Sequence, residues 1–189
     1  MTGPDRFLDQ MTAMLPALRA FGRSLCGDPA RADDLVQDTL LKAWTNRIQF
    51  QEGSNLKAWL FTILRNQYYS ELRHRKFEVP DPDGICAAQV AIAPDHDLKL
   101  QVRDLERALH QLPEDQREAL ILVGATGLSY EEAAQVCECA IGTIKSRIAR
   151  ARDRLVEILG EESRGMLNVT AAEPPGTQDA AQVERAGSG

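Results

Sequence analysis

Thr143, Ser146, Arg147, Arg150 and Arg154 recur at helical spacing, with Lys145 and Arg152 on their flanks. Guanidinium, ammonium and hydroxyl groups in one row can pair with phosphates and hydrogen-bond the base edges of a DNA major groove. The opposite side carries Ile144, Ile148, Ala151, Leu155 and Leu159, so the same helix has an apolar stripe with which to dock. Upstream, Ser129 and Glu132 make a capping box for a helix opening at Tyr130. Glu138-Cys139-Ala140-Ile141-Gly142 then interrupts the chain before a second helix predicted to begin near Thr143. This pattern predicts a helix-turn-helix whose second helix enters a major groove. The plainer alternative is an amphipathic surface helix with a solvated basic face. Five Lys/Arg against one acid between Thr143 and Arg154, directly after a tight turn, favour DNA.

A second row lies on the helix predicted from Leu56 to Lys76. Leu56, Trp59, Leu60, Ile63 and Leu64 share an apolar arc, while Thr62, Arg65, Asn66, Tyr69, Arg73 and Lys76 gather on a separate arc of about 100°. An ordinary solvated face would carry Glu/Lys pairs. A row mixing Asn, Arg, Lys and an aromatic suits unpaired bases, because stacking and phosphate pairing can occur together. Taken alone it weighs evenly against a structural surface.

The formal charge is −6, at first sight odd for a nucleic-acid binder. Its distribution resolves this: Leu56–Lys76 and Thr143–Arg154 each carry +4, which leaves −14 for the rest of the chain. Cationic faces on an acidic body are expected to bind DNA weakly unless a partner holds them there. No apolar run approaches the roughly eighteen residues of a membrane span, and MTGPDRFLDQ has neither the basic nor the apolar region of a secretory signal. A cytoplasmic protein is therefore expected, with Cys26, Cys86, Cys137 and Cys139 reduced. Cys137 and Cys139 lack the second pair of ligands that a zinc site requires, and His74, His96 and His110 are dispersed, so neither metal nor cofactor is expected. The absence of a phosphate-cradling glycine loop, a ligand cluster or a nucleophile elbow argues against an enzyme.

The elements that must position these rows are all helical. Helix one is predicted from Arg6 to Cys26, with Pro16 as a kink or break, and Gly27 as its end. Asp28 as N-cap and Pro29 at the first position open helix two, from Ala30 to Asn46. Leu35, Val36, Leu40, Ala43 and Trp44 point inward there, and Asp33, Asp34, Gln37 and Asp38 form an acidic, polar side. The turn-rich loop 50–55 precedes the third helix. Residues 77–97, rich in Pro and Asp, read as a linker; Leu98–Gln111 and Pro113–Val123 are two further helices before the helix-turn-helix. The predicted fold class is all-α: a helical domain over 1–76, a flexible linker over 77–97, a second helical domain over 98–160 and a disordered tail over 161–189.

These residues resemble the extracytoplasmic-function sigma factors, the two-domain initiation factors of bacterial RNA polymerase. Asp33-Asp34-Leu35-Val36-Gln37-Asp38-Thr39-Leu40 with Ala43-Trp44, then Ala58-Trp59-Leu60-Phe61-Thr62-Ile63-Leu64-Arg65-Asn66, look like the family's domain 2. Leu112-Pro113, Arg117-Glu118-Ala119-Leu120, Ser129-Tyr130-Glu131-Glu132-Ala133-Ala134 and Gly142-Thr143-Ile144-Lys145-Ser146-Arg147 look like domain 4. Residues 58–66, 81–84 and 120–125 further resemble the alphaproteobacterial general-stress-response branch, EcfG. The resemblance implies binding of core RNA polymerase, through the clamp helices of its largest subunit and the flap of the second-largest, and of promoter DNA. It also implies a NepR-like anti-sigma partner, displaced by a phosphorylated PhyR-type regulator, and no membrane. Asp34, Leu35, Gln37 and Asp38 match the core-binding surface. The loop 46–55, with Asn66 and its row (Thr62, Arg65, Tyr69, Arg73, Lys76), matches the element that captures an unpaired −10 base. Thr143, Lys145, Ser146, Arg147, Arg150 and Arg154 match the helix that contacts the −35 element. The linker matches the segment threading the RNA-exit path.

Two other functions fit parts of the pattern. A stand-alone helix-turn-helix regulator would bind duplex DNA unaided, usually as a dimer, but leaves the Arg65 row and the acidic helix-two face unexplained. A sigma-mimicking adaptor that binds an anti-sigma protein would be expected to carry a receiver domain, for which 189 residues filled by two sigma-like domains leave no room.

Overall fold

The computed structural model of the chain describes residues 4–51, 53–78 and 96–160. Among them are eight α-helices and no strand. The expected first helix is two: α1 (Pro4–Ala13) and α2 (Leu15–Cys26), parted at Met14. Pro16 is the cause, since it has no N–H to give the Thr12 carbonyl and its ring crowds the preceding turn. Gly27, at φ 69°, closes α2 in the left-handed conformation, and its N–H donates to the Arg23 carbonyl. Asp28 then accepts the Ala30 N–H at 3.0 Å and starts α3 (Pro29–Thr45) with proline in the first turn, as its sequence predicts. A short 3₁₀ turn (Arg47–Gln49) leads toward α4 (Leu56–Glu78), whose first turn Asn55 caps by accepting the Ala58 N–H at 3.1 Å.

The second set comprises α5 (His96–His110), α6 (Glu114–Leu120), α7 (Tyr130–Val136) and α8 (Ile141–Leu159). Sequence periodicity carries α6 through to Val123. Instead the helix widens into a π turn over Ile121–Ala125, where the Thr126 N–H reaches back to the Ile121 carbonyl. Ile121, Leu122 and Val123 are all buried there, continuing the buried run Arg117–Leu120 that ends α6. The predicted linker falls for the most part on residues 79–95, and the tail on 161–189, outside the described residues.

In the first set Phe21 meets Phe61 edge to face at 5.3 Å among the fully buried Leu18, Leu35, Leu60 and Leu64. Gly22 lets α3 come close: a Cβ there would stand 3.4 Å from the Ala32 carbonyl oxygen. In the second set Leu122, Leu128, Ile144, Ile148 and Leu155 are fully buried. The two sets are not separate cores. α4 packs along α7, α2 meets α6 and the π turn, and the apolar clusters are continuous. This explains why α4 buries more than its predicted arc. Phe61 and Tyr68 are buried as well, because the helix is covered both by α2 and α3 and by the second set.

Candidate nucleic-acid interface

The second half of the helix-turn-helix begins earlier than its sequence suggests. Ala140 is the extended N-cap, and α8 takes in Ile141 and Gly142 before Thr143. The first turn of a helix asks nothing of its own N–H groups, so a glycine there is tolerated. Glu138, in the turn before it, holds φ 53°, a left-handed conformation unusual for a residue with a Cβ. Ile144, Ile148, Ala151 and Leu155 face inward as expected. Lys145, Arg150 and Arg154 are exposed, and Thr143, Ser146 and Arg147 are half-buried. Lys145 lies 5.5 Å from the Tyr130 ring centre, a cation–π contact that steers its ammonium. Arg147 is engaged within its own half: its Nε is 3.0 Å from an Asp115 carboxylate oxygen, and a guanidinium N–H donates to Cys139 Sγ at 3.9 Å. The Ser146 hydroxyl donates to the Thr143 carbonyl.

The Arg65 row also has partners in place. Arg65 Nε donates to Glu118 Oε1 at 2.7 Å, an ion pair between α4 and α6. Glu118 is 1% exposed and Arg65 16%. Tyr69 donates to the other carboxylate oxygen at 3.5 Å, and the Arg65 guanidinium lies 4.8 Å from the Tyr69 ring centre. Burial lowers the Arg65 pKa, but the charge and hydrogen bond of Glu118 more than offset this and leave it raised. Burial likewise raises the Glu118 carboxyl, and Arg65 only partly opposes it. Burial, then the charge of Glu118, raises the Tyr69 phenol. Arg65, Asn66, Tyr69 and Arg73 line one side of a cleft of about 380 Å³ whose other side holds Glu114 and Glu138. Asn66 and Arg73 are exposed. Thr62 is half-buried and donates to the Ala58 carbonyl, while the Lys76 side chain lies outside those described.

On α3, Asp34, Gln37 and Asp38 are exposed, with Asp38 accepting a hydrogen bond from Gln67 at 3.0 Å. Leu35 faces inward, as its helical register predicts, and so lies beneath the surface that the resemblance assigns to it. It is 2% exposed and belongs to the core, because it sits one helical turn from Ala32 and Thr39 on the buried face. Next to the acids, Leu8 and Leu41 edge a groove floored by Met11, Leu15, Leu40 and Trp44.

The carboxylates facing the Arg65 row were missed from sequence. Their signal was available: Glu118 stands one turn after Glu114 and one before fully buried Leu122, on the same side of the segment. An acid at an apolar register position calls for a buried cation. Cys137 is buried, and its thiol is pushed up to about 12 by burial and then by Glu118, which makes it a packing residue. Among the described residues no cluster of His, Cys, Asp and Glu could hold a metal ion, and no helix is long and apolar enough to cross a membrane.

Two family models match this chain: sigma-70 region 2 over residues 11–78 and sigma-70 region 4 over residues 103–155. The ECF RNA polymerase sigma factor EcfG of Rhodopseudomonas palustris is 49% identical over 185 residues, which span 98% of each chain. The chain belongs to the extracytoplasmic-function sigma factors. Sigma factors of this group direct core RNA polymerase to promoters with −35 and −10 elements and assist their melting, and this chain is one of them. Among solved structures, the sigma factor RpoE of Bartonella quintana, in complex with the anti-sigma factor NepR, is 55% identical with a TM-score of 0.74. That match covers 82% of this sigma factor and 98% of the Bartonella chain. CnrH, in complex with the cytosolic domain of CnrY, matches at 27% identity and a TM-score of 0.63 over 83% of this chain and 90% of its own.

Proposed function

We propose that the sigma factor divides promoter recognition between its two rows. Lys145, Arg150 and Arg154 on α8, with Thr143, Ser146 and Arg147 at their side, serve the −35 duplex. Arg65, Asn66, Tyr69 and Arg73, with Thr62 and Lys76 and the loop 46–55, serve the unpaired −10 strand. The observation that carries this division is the difference in chemistry between the rows. The α8 row is cations and hydroxyls on an exposed helix behind a turn, suited to base edges and phosphates. The α4 row sets an amide and an aromatic among cations beside a cleft, suited to a base out of its stack. The exposed acids Asp34 and Asp38 and the amide of Gln37, beside an apolar groove, form the core-polymerase surface, which Leu35 supports from beneath. The domains are assigned to 1–76 and 98–160, the linker to 77–97 and the tail to 161–189, with the end of α4 (to Glu78) and the start of α5 (from His96) running into the ends of the linker. The kinship to EcfG and to a sigma factor crystallised with NepR supports a role in the general stress response under a NepR-like anti-sigma protein. The factor has no reaction chemistry of its own and works in the cytoplasm without a cofactor.

Run-off transcription with purified core polymerase on a promoter library tests the proposal. Promoter-specific transcripts should depend on this protein. Because the body outside the two rows carries −14, the chain alone should bind promoter duplex poorly at physiological salt. Sequence-specific, sub-micromolar binding by the isolated chain, without stimulation of core polymerase, would establish a stand-alone regulator instead.

A further inference from the structure

We propose that Ile141 reads the C5-methyl group of a thymine in the −35 element. Resting on the assignment of the α8 row to the −35 duplex, this gives a row of cations and hydroxyls an apolar reader. Ile141 is 40% exposed, the one large apolar side chain of α8 left exposed among the described residues. The core does not call for it: Ile144, Ile148, Ala151 and Leu155 form the inward stripe and are buried. Gly142, Lys145 and Ala149 are exposed with it. Ile141, Lys145 and Ala149 stand at i, i+4 and i+8, so they share one line along the helix. This side is also low. A Cβ on Gly142 would meet nothing within 4 Å, and Ala149 offers only a methyl group, so another surface can come close.

The place of Ile141 on its helix suits that role. In a helix-turn-helix the first residues of the second helix approach the base edges, and Ile141 is the first residue of α8. That end is held in place. Asp115 pairs with Arg147 at 3.0 Å, and in the preceding turn the Cys139 N–H donates to the Ala134 carbonyl at 3.0 Å. Ala140, the N-cap, offers no side-chain oxygen, which leaves the first N–H groups of α8 to an outside acceptor such as a phosphate. One turn further on, the Tyr130 ring steers Lys145, whose ammonium suits guanine O6 and N7. Thymine differs from these targets, because its C5-methyl is an apolar group on the major-groove edge. Isoleucine can exclude water from that methyl and, being branched at Cβ, loses little rotamer freedom in doing so. A cytosine in the same place would press its amino group against a side chain with no acceptor.

Deoxyuridine in place of thymine removes the methyl and leaves every hydrogen-bonding group of the base pair as it was. Holoenzyme carrying the full chain is titrated, by fluorescence anisotropy, with promoter duplexes in which each −35 thymine of either strand is replaced in turn. One position should cost the wild type about fourfold in affinity, the value of one buried methyl group. Ile141→Ala should lose about as much on the thymine duplex and nothing further on the deoxyuridine duplex, a coupling that the double-mutant cycle isolates. Ile141→Val, which keeps a branched apolar side chain, should retain most of the preference. Both variants should unfold near the wild-type urea midpoint, since the side chain lies outside the core. Indifference of the wild type to every deoxyuridine would overturn the assignment of Ile141. So would an equal methyl effect in wild type and Ile141→Ala, which would place the methyl against another group. A uniform loss by Ile141→Ala on all duplexes, with the methyl effect kept, would make Ile141 a polymerase contact and overturn it too. Lys145→Ala separates the underlying reading: unaltered −35 affinity would remove α8 from the −35 element altogether, whereas weakened binding without Ile141 coupling removes only the thymine contact.

Discussion

The Asp115 carboxylate lies 3.0 Å from Arg147 Nε and ties the start of α8 to α6. Arg147 is therefore partly occupied in bracing α8, whereas Lys145, Arg150 and Arg154 are exposed. Six residues that look equivalent in sequence thus divide into a structural and a freely presented group.

Arg150→Ala should leave stability within about 0.5 kcal/mol of the wild type, since nothing packs on an exposed surface cation. In the holoenzyme it should cost about 1–3 kcal/mol of −35 discrimination if it contacts a base, or lower the salt slope by about 1 if it contacts a phosphate. Arg147→Ala should do the reverse, losing up to about 1 kcal/mol of stability and less of the DNA contact. Urea titrations and salt-dependent anisotropy of the holoenzyme on −35 duplexes would decide. A larger promoter defect for Arg147→Ala than for Arg150→Ala would contradict the division.

The capping box at α7 supports a separate expectation. Ser129 Oγ accepts the Glu132 N–H at 3.1 Å, and Glu132 Oε2 accepts the Ser129 N–H at 2.7 Å. Glu132 also takes the Asn55 amide from the other helical set. Ser129→Ala should thus destabilise by about 1 kcal/mol, seen as a lower urea midpoint at unchanged slope. Glu132→Ala should cost more, because it removes the interset bond as well. Equal costs would mean that the Asn55 bond contributes nothing.

Local signals in the sequence located most elements of this fold. Gly27, the Asp28-Pro29 start and the Ser129/Glu132 box act within a turn of themselves, so their consequences need no tertiary knowledge. Periodicity placed Ile144, Ile148, Ala151 and Leu155 inside for the same reason. It failed where packing comes from two sides. Phe61 and Tyr68 are buried on α4 because that helix is covered by α2 and α3 as well as by the second set, and the π turn at Ile121–Ala125 left no mark in the local periodicity. Both rows were found by residue type, but the acids facing Arg65 are distant in sequence. No local pattern pairs Arg65 with Glu118.

Cys137 is expected to be chemically silent near neutrality. With its thiol at about 12 and 5% exposure, its thiolate fraction at pH 8 is far below that of an ordinary cysteine. A folded-state pKa above the unfolded value of about 8.5 contributes stability that is present below pH 8.5. That contribution is lost as pH rises toward 12. Native iodoacetamide labelling at pH 8, read by mass spectrometry, should leave Cys137 unmodified, and full labelling should require denaturant. The alkaline loss of stability should be shallower in Cys137→Ala than in wild type. Rapid native alkylation of Cys137 would instead show that its neighbourhood opens.

Asn66 offers the sharpest test of the −10 assignment. It is exposed on the cleft, between the Arg65 and Arg73 sides of the row, and its amide provides both a donor and an acceptor for a base edge. Neither the α3 surface nor the α8 row uses it, so Asn66→Ala should spare core binding and closed-complex formation. Open-complex formation should fall, because capture of an extruded base offsets an unstacking cost of a few kcal/mol. A pre-melted −10 bubble should restore only part of the loss, since it supplies the melting but not the missing amide. Permanganate footprinting of the −10 region reads both quantities. Wild-type melting by Asn66→Ala, on a promoter whose opening limits the rate, would remove Asn66 from the site and leave the cationic neighbours to act through phosphate alone.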